Sequence, residues 1–358
     1  MLFIYLLALY LYYLRKVQII MAISKKEFGT LSNGKTASLY TITNENGASL
    51  DVTNYGAIWV GTKIKTLSET IDVVLGFDDV SGYEQDGAHL GATVGRNANR
   101  IKEGKYTLAG NNYSLDCNSN GNNLHSGPNY WGKRLWDTTT DESSNSVTFH
   151  LFSNDMEQGY PGDLDISITY TLTADNTVEL FYKASSNQTT IFNPTNHVYF
   201  NLNGPGRGDV FNHLLKVDSD YITETDNDVS TGKLLAVKST PFDYTSEKTV
   251  SIELDTNFCK MSHHTPNTVR TTCVSLESGI QLEVSTDLPG IQIYTGNYLD
   301  EDNGKSHSIY RKGSGICFET QYYVNAINID SKDFMKPILE KDKVFTSTSR
   351  YHFSIRTR

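Results

Sequence analysis

Between residue 22 and the C-terminus, apolar residues recur at every second position in short runs bounded by turn-forming residues. In DLDISITYTL, Leu164, Ile166, Ile168, Tyr170 and Leu172 alternate with Asp165, Ser167, Thr169 and Thr171. A two-residue period gathers one set of side chains on one face, which predicts a strand buried on one side. NTVELFYKA repeats the pattern through Val178, Leu180 and Tyr182, GIQLEVSTD through Ile280, Leu282 and Val284, and YHFSIRTR closes the chain with it. The runs are separated by turns such as ADN and ESG, as expected of a large antiparallel assembly. No run is followed by the amphipathic helix that a βαβ unit needs, and there is no fixed-period repeat, low-complexity tract or Pro/Gly/Ser-rich linker. The reading is all-β: a large antiparallel β-sandwich with few short helices, one domain over residues 22–358, behind an apolar extension at residues 1–21.

Composition narrows the function. The 358 residues carry 22 Tyr and 15 Phe but 8 Pro, a balance suited to pleated, half-buried surfaces. A net charge of −10, with no run of Lys or Arg, disfavours a phosphate-backbone binder and points to a neutral or cationic small ligand, or to none. Cys117, Cys259, Cys273 and Cys317 show no CxxC pair and no histidine at metal-ligand spacing, so free thiols of a cytoplasmic protein are expected. His263 and His264, being adjacent, are poorly placed to chelate one ion and read as a solvated loop. MLFIYLLALYLYYL, followed by Arg15 and Lys16, is short for a membrane span and lacks the layout of a signal peptide. MAISKKEFGT from Met21 resembles an ordinary cytosolic start, so an over-extended gene model leads. A signal anchor, with a secreted or membrane-anchored product, is the alternative, and the sequons at Asn112 and Asn187 matter only then.

Four polar stretches carry groups that a sandwich core does not ask for. HLGATVGRNANRI lacks the spacing of a phosphate loop; it reads either as a turn with Arg96 and Arg100 solvated or as a site in which Asn99 and Arg100 donate to hydroxyls or a carboxylate. NNLHSGPNYWGKRLW places His125 before a turn, followed by Trp131 and Trp136, which fit core packing better than a sugar platform. NPTNHVYFNL, read as one strand, puts His197, Tyr199 and Asn201 on one face and Val198, Phe200 and Leu202 on the other. On that face His197 either meets water or supplies a proton in a cleft. GSGICFETQYY likewise sets Cys317, Glu319 and Gln321 opposite Ile316, Phe318 and Thr320. Glu319 there is either a cross-strand partner for a lysine or a desolvated base.

Read together, GATVGRNANRI, NNLHSG, GYPGDLDISITYTL, NPTNHVYFNLNG, LDTNFC, LPGIQIYTGNYL and ETQYYVNAIN resemble, in order, the aldose 1-epimerase (galactose mutarotase) family over nearly the whole chain after Met21. The resemblance implies an antiparallel β-sandwich, a free aldose such as galactose or glucose as substrate, and interconversion of its anomers without metal or organic cofactor. It implies Glu319 as the base on the C1 hydroxyl and His197 as the acid on the ring oxygen. Asn99, Arg100, His125, Asp255 and Gln292 are the implied sugar contacts, and Asn196 a shaper of its strand. The protein is expected as a monomer or homodimer, without nucleic acid and, unless the N-terminal segment is retained, without a stable membrane partner. Two departures bear on loop shape: Pro128 replaces a second glycine after His125, and Val324, Asn325 and Ala326 stand where relatives have Pro-Asp-Ala. A sugar-binding module without turnover does not need an acid–base pair, and a glycoside hydrolase would show two carboxylates flanking one bond.

Overall fold

The computed structural model describes residues 21–259 and 270–356. The apolar segment at residues 1–20 and the His263–His264 pair lie outside them. Described strands form three larger antiparallel sheets. Nine strands run in the spatial order Asp137–Asp141, Ser146–Ser153, Leu164–Leu172, Thr177–Ser186, Val344–Ile355, Ile280–Thr286, Arg270–Val274, Leu214–Asp218 and Lys248–Thr249. Six strands follow the order Tyr199–Phe200, Ile316–Gln321, Gly290–Tyr294, Asp255–Cys259, Tyr221–Asp226 and Val229–Ala236. The first five strands, from Ala22–Thr30 to Thr70–Asp72, make a meander of their own. Among the described residues there is one short α-helix, Val80–Gln85, and no helix long and apolar enough to cross a membrane.

The predicted alternation is realised in the nine-stranded sheet. Ile166, Ile168, Tyr170, Leu180, Tyr182, Leu282 and Val284 are buried, and they pack in one core with Phe318, Ile291 and Phe258 of the six-stranded sheet and Ile42, Leu50 and Val52 of the meander. Facing sheets whose inner residues share a core make a sandwich. Trp59 sits where the three sheets meet, with its ring edge-on to Tyr170 at 6.2 Å, Phe200 at 5.6 Å and Tyr351 at 5.1 Å. The turns ADN and ESG fall at Asn176 and Gly279, both at positive φ.

Two sequence expectations change. The last strand begins at Val344, seven residues before the run in YHFSIRTR, because its inner face there carries Ser347 and Ser349, which hydropathy does not register. Ser349 is buried by bonding to the hydroxyls of Thr320 and Thr286, at 2.7 and 3.0 Å. Arg96, read as solvated, is instead fully buried. Its guanidinium donates to the carbonyls of Pro161, Ser153 and Asn154 and to the hydroxyls of Ser153 and Thr190, so all three nitrogens are satisfied. The four cysteines are free, three of them buried, with Cys117 exposed.

Candidate active site

NPTNHVYFNL is not one strand. Thr195–Asn196 pairs with Thr93–Val94, and Tyr199–Phe200 pairs with Ile316–Cys317, so the chain changes sheets at His197. The alternation survives the change: Val198, Phe200 and Leu202 enter the core while His197 and Tyr199 face the other way. The backbone of His197 is held by Ala92 and Gly91, its N–H donating to Ala92 at 2.9 Å and its carbonyl accepting from Gly91 at 3.0 Å. Gly91 has φ of +67°, and a Cβ there would lie 2.1 Å from the carbonyl oxygen of Trp59, so only glycine fits. The glycines of GATVGR thus serve close packing rather than a phosphate, Gly91 beside the histidine and Gly95 against the ring of Trp131, where a Cβ would lie 2.0 Å from it. Asn196 braces the same junction by donating to Gly91 and to the Tyr170 hydroxyl, at 2.9 and 3.0 Å.

The second loop is locked by a reciprocal pair. His125 donates its backbone N–H to the carbonyl of Asn99 at 3.1 Å, and the Asn99 N–H donates to Nδ1 of His125 at 3.1 Å. Occupied as an acceptor, Nδ1 leaves the proton of the neutral ring on Nε2. Trp131 and Trp136 lie buried edge to face behind this loop, as core packing.

The third element is the strand Ile316–Gln321, buried on both faces. Phe318 points into the core, and Cys317 and Glu319 point to the side of His197. Nδ1 of His197 lies 3.6 Å from the Cys317 sulfur, and its Nε2 lies 3.6 Å from Oε1 of Glu319. Burial raises Glu319 well above the ordinary carboxylate range, helped by the charge of Asp255 and opposed by Arg100. Burial also lowers His197 to about 3, with His89 adding to the shift. Both shifts favour the neutral forms, so the proton shared between carboxyl and imidazole stands on the carboxyl.

These groups line a cavity of about 340 Å³, at the lower end of the roughly 300–1,000 Å³ typical of small-ligand sites. Of the seven residues singled out in the sequence, Asn99, Arg100, His125, His197, Asp255 and Glu319 line it. Gln292 stands behind Asp255, donating to its Oδ1 at 2.6 Å, and lines an adjoining alcove with it. His89, Tyr294, Tyr298, Asp300 and Glu301 line the cavity and were missed. Tyr294 was within reach of the alternation, two residues beyond Gln292 in GIQIY; the others carry no periodic signal. His89 completes a cluster of three imidazoles, with ring centroids 5.1 Å from His125 and 5.8 Å from His197.

His125, His197 and Glu319 bring ligand-type atoms within 4.8 Å of one another. A metal there would need Nε2 of His125 unprotonated, which the Asn99 bond to Nδ1 opposes. The arrangement suits proton transfer to and from a neutral polyol better: a buried carboxyl and imidazole side by side, with guanidinium, amide, a second imidazole and a second carboxylate around them.

The sequence model of the family described as aldose 1-epimerase matches residues 38–352. A galactose mutarotase from Mus musculus is 35% identical over 347 residues, covering 93% of this chain and 99% of that protein. An aldose 1-epimerase from Escherichia coli is 29% identical over 335 residues, covering 90% of this chain and 96% of that protein. Among solved structures, an aldose epimerase homologue from C. elegans superposes with a TM-score of 0.84 at 30% identity, covering 90% of this chain and all of that one. Matched over nearly its whole length by that family's model and by relatives of the same sandwich fold, the chain belongs to the aldose 1-epimerase family and is an isomerase that interconverts sugar anomers.

Proposed function

We propose that the substrate is a free hexose such as galactose or glucose, that Glu319 takes the proton from the C1 hydroxyl and that His197 protonates the ring oxygen. The supporting observation is the 3.6 Å pairing of the two groups inside one buried cavity. As the O1–H proton passes to Glu319, C1=O1 forms, the C1–O5 bond breaks, and O5 accepts the proton from Nε2 of His197. Rotation about C1–C2 presents the other face of the aldehyde, and the same two transfers run backwards to close the other anomer. The exchange is redox-neutral and proton-balanced, so its chemistry asks for no cofactor.

For this direction the shared proton must stand on His197 when the sugar is bound. Arg100 favours that state because its charge stabilises the carboxylate of Glu319. Burial then makes the imidazolium a strong acid and the carboxylate a strong base, the combination needed to open a hemiacetal. Asn99, Arg100, His125 and Asp255 hold the hydroxyls, with Gln292 setting the orientation of Asp255.

Polarimetry on freshly dissolved α-D-galactose or α-D-glucose tests the reading. The protein should speed the drift in rotation, and Glu319→Gln or His197→Asn should each slow it by about a hundred- to ten-thousandfold. Undiminished turnover in both variants refutes the roles; a wild-type protein that binds sugar without turning it over makes the fold a binding module.

A further inference from the structure

His89 lines the cavity but takes no part in the proposed proton transfers. It opens a turn that the Ala92 N–H closes by donating to the His89 carbonyl at 3.0 Å, and its φ is +61°. A non-glycine residue is uncommon in that region, and such strain gathers where a side chain is aimed at a ligand. The ring is wedged between His125 and Tyr130, with centroids 5.1 and 4.8 Å away and steep interplanar angles of 77° and 87°. Its Nδ1 is buried without a hydrogen-bond partner, so the edge turned to the cavity is the one that carries Nε2. Burial, with the charge of Lys133 adding to it, lowers His89 to about 4 and keeps the ring neutral at pH 7.

Strand pairing fixes the side of His197 on which this ring stands. Along one edge, Tyr199–Phe200 pairs with the strand that carries Glu319. Along the other lie Gly91 and Ala92, bonded to the backbone of His197, and Leu75, whose N–H donates to the Tyr199 carbonyl at 3.0 Å. The turn that carries His89 is therefore across His197 from Glu319, whereas Gln292 and its alcove lie beyond Glu319 in the opposite direction. In a pyranose the ring oxygen stands between C1 and C5. A sugar with its C1 hydroxyl at Glu319 and its ring oxygen at His197 thus carries C5 and its exocyclic arm onward, toward His89.

We propose that His89 is a specificity residue of the aldose site, one that hydrogen-bonds the C6 hydroxyl of a hexose through Nε2. The inference rests on the proposed roles of Glu319 and His197, which set the orientation of the ring. A hydroxyl both donates and accepts, so it completes the neutral imidazole in either tautomer. A carboxylate or phosphate on the arm is disfavoured, because the imidazole brings no charge to meet it and Asp300 and Glu301 line the same cavity.

Turnover of D-galactose, 6-deoxy-D-galactose and D-glucose is compared in the wild type and in His89→Phe, which keeps a ring and removes both nitrogens. The wild type should prefer galactose to its 6-deoxy analogue in kcat/KM by about threefold to tenfold, the worth of one neutral hydrogen bond, and His89→Phe should erase that preference. D-glucose, which keeps the arm and inverts C4, should lose as much as galactose. Equal wild-type values for galactose and 6-deoxygalactose, a preference that survives the substitution, or a loss common to all three sugars each overturns the contact. A loss confined to galactose overturns it too, by placing His89 at C4. If His89→Phe does not fold, His89→Asn serves instead, since asparagine tolerates the positive φ and is too short to reach the arm; it should erase the same preference. The polarimetric test of Glu319→Gln and His197→Asn decides the acid–base roles separately: if both variants are inactive while the wild type ignores the C6 hydroxyl, His89 falls and the roles stand.

Discussion

The strands Leu164–Leu172 and Ile316–Gln321 follow the same alternation and use it for opposite ends. In the first, Asp165 is exposed and Ser167, Thr169 and Thr171 are half-buried, because the outer face of the nine-stranded sheet meets water. In the second, the alternate residues Cys317, Glu319 and Gln321 are as buried as the core-facing Ile316 and Phe318, because that face of the six-stranded sheet is covered around the cavity. Polar residues on the first face are solvated and interchangeable. On the second they are desolvated, with shifted protonation and unpartnered atoms, and hold chemistry. Period two says which residues share a face; it does not say what covers that face.

The largest expected effect on this contrast is at Glu319. Its folded pKa is raised, so above about 4.5 the unfolded chain releases a proton that the native state retains, and stability falls as pH rises from there. Glu319→Gln removes that cost. It should be more stable than the wild type at pH 7 in a denaturant titration while nearly inactive; an inactive variant that is also less stable would show that the carboxylate has a structural role. Next comes the core beneath the other strand. Ile168→Ala should lose about 2–5 kcal/mol of stability and keep a near-normal kcat at temperatures where it remains folded.

His213 tests whether burial alone, away from the cavity, shifts a group. It is fully buried, accepts the Leu202 N–H on Nε2 at 3.1 Å, and is pushed down to about 4. The unfolded chain takes up a proton near pH 6.5 that the native state refuses until about 4. Stability from this group is therefore complete above pH 6.5 and lost on acidification, by about 1.4 kcal/mol per pH unit. His213→Gln, which can still accept the Leu202 N–H, should flatten the dependence of stability on pH by that slope between pH 6.5 and 4; an unchanged slope would place the protonation elsewhere. The smallest effect belongs to the outer face. Glu179 pairs with Arg350 across neighbouring strands at 2.6 Å, and Glu179→Gln should cost no more than about 1 kcal/mol and leave turnover unchanged.

The sequence made the regular strands legible because their inner residues are aliphatic or aromatic and their outer ones polar. It hid the first half of the last strand, where Ser347 and Ser349 are inward and hydroxyl-bonded. It also left Arg96 in solvent, because a guanidinium satisfied by loop carbonyls has no local signature; its partners lie 57 to 94 residues away. The faces of His197 and Glu319 followed from alternation, and their roles only from the co-ordered motifs. That they lie 3.6 Å apart did not, since that depends on the chain changing sheets at His197. His89, the Asp300–Glu301 edge and the alcove were out of reach for the same reason: convergence is a property of topology.

The chain has 3 tryptophans, at positions 59, 131 and 136, all in the core and none lining the cavity. Their fluorescence therefore reports the apolar interior: emission should be blue-shifted in the native protein and move to the red on unfolding. Sugar entering the cavity should leave it nearly unchanged, so intrinsic fluorescence is a clean optical probe of folding and a poor one of occupancy.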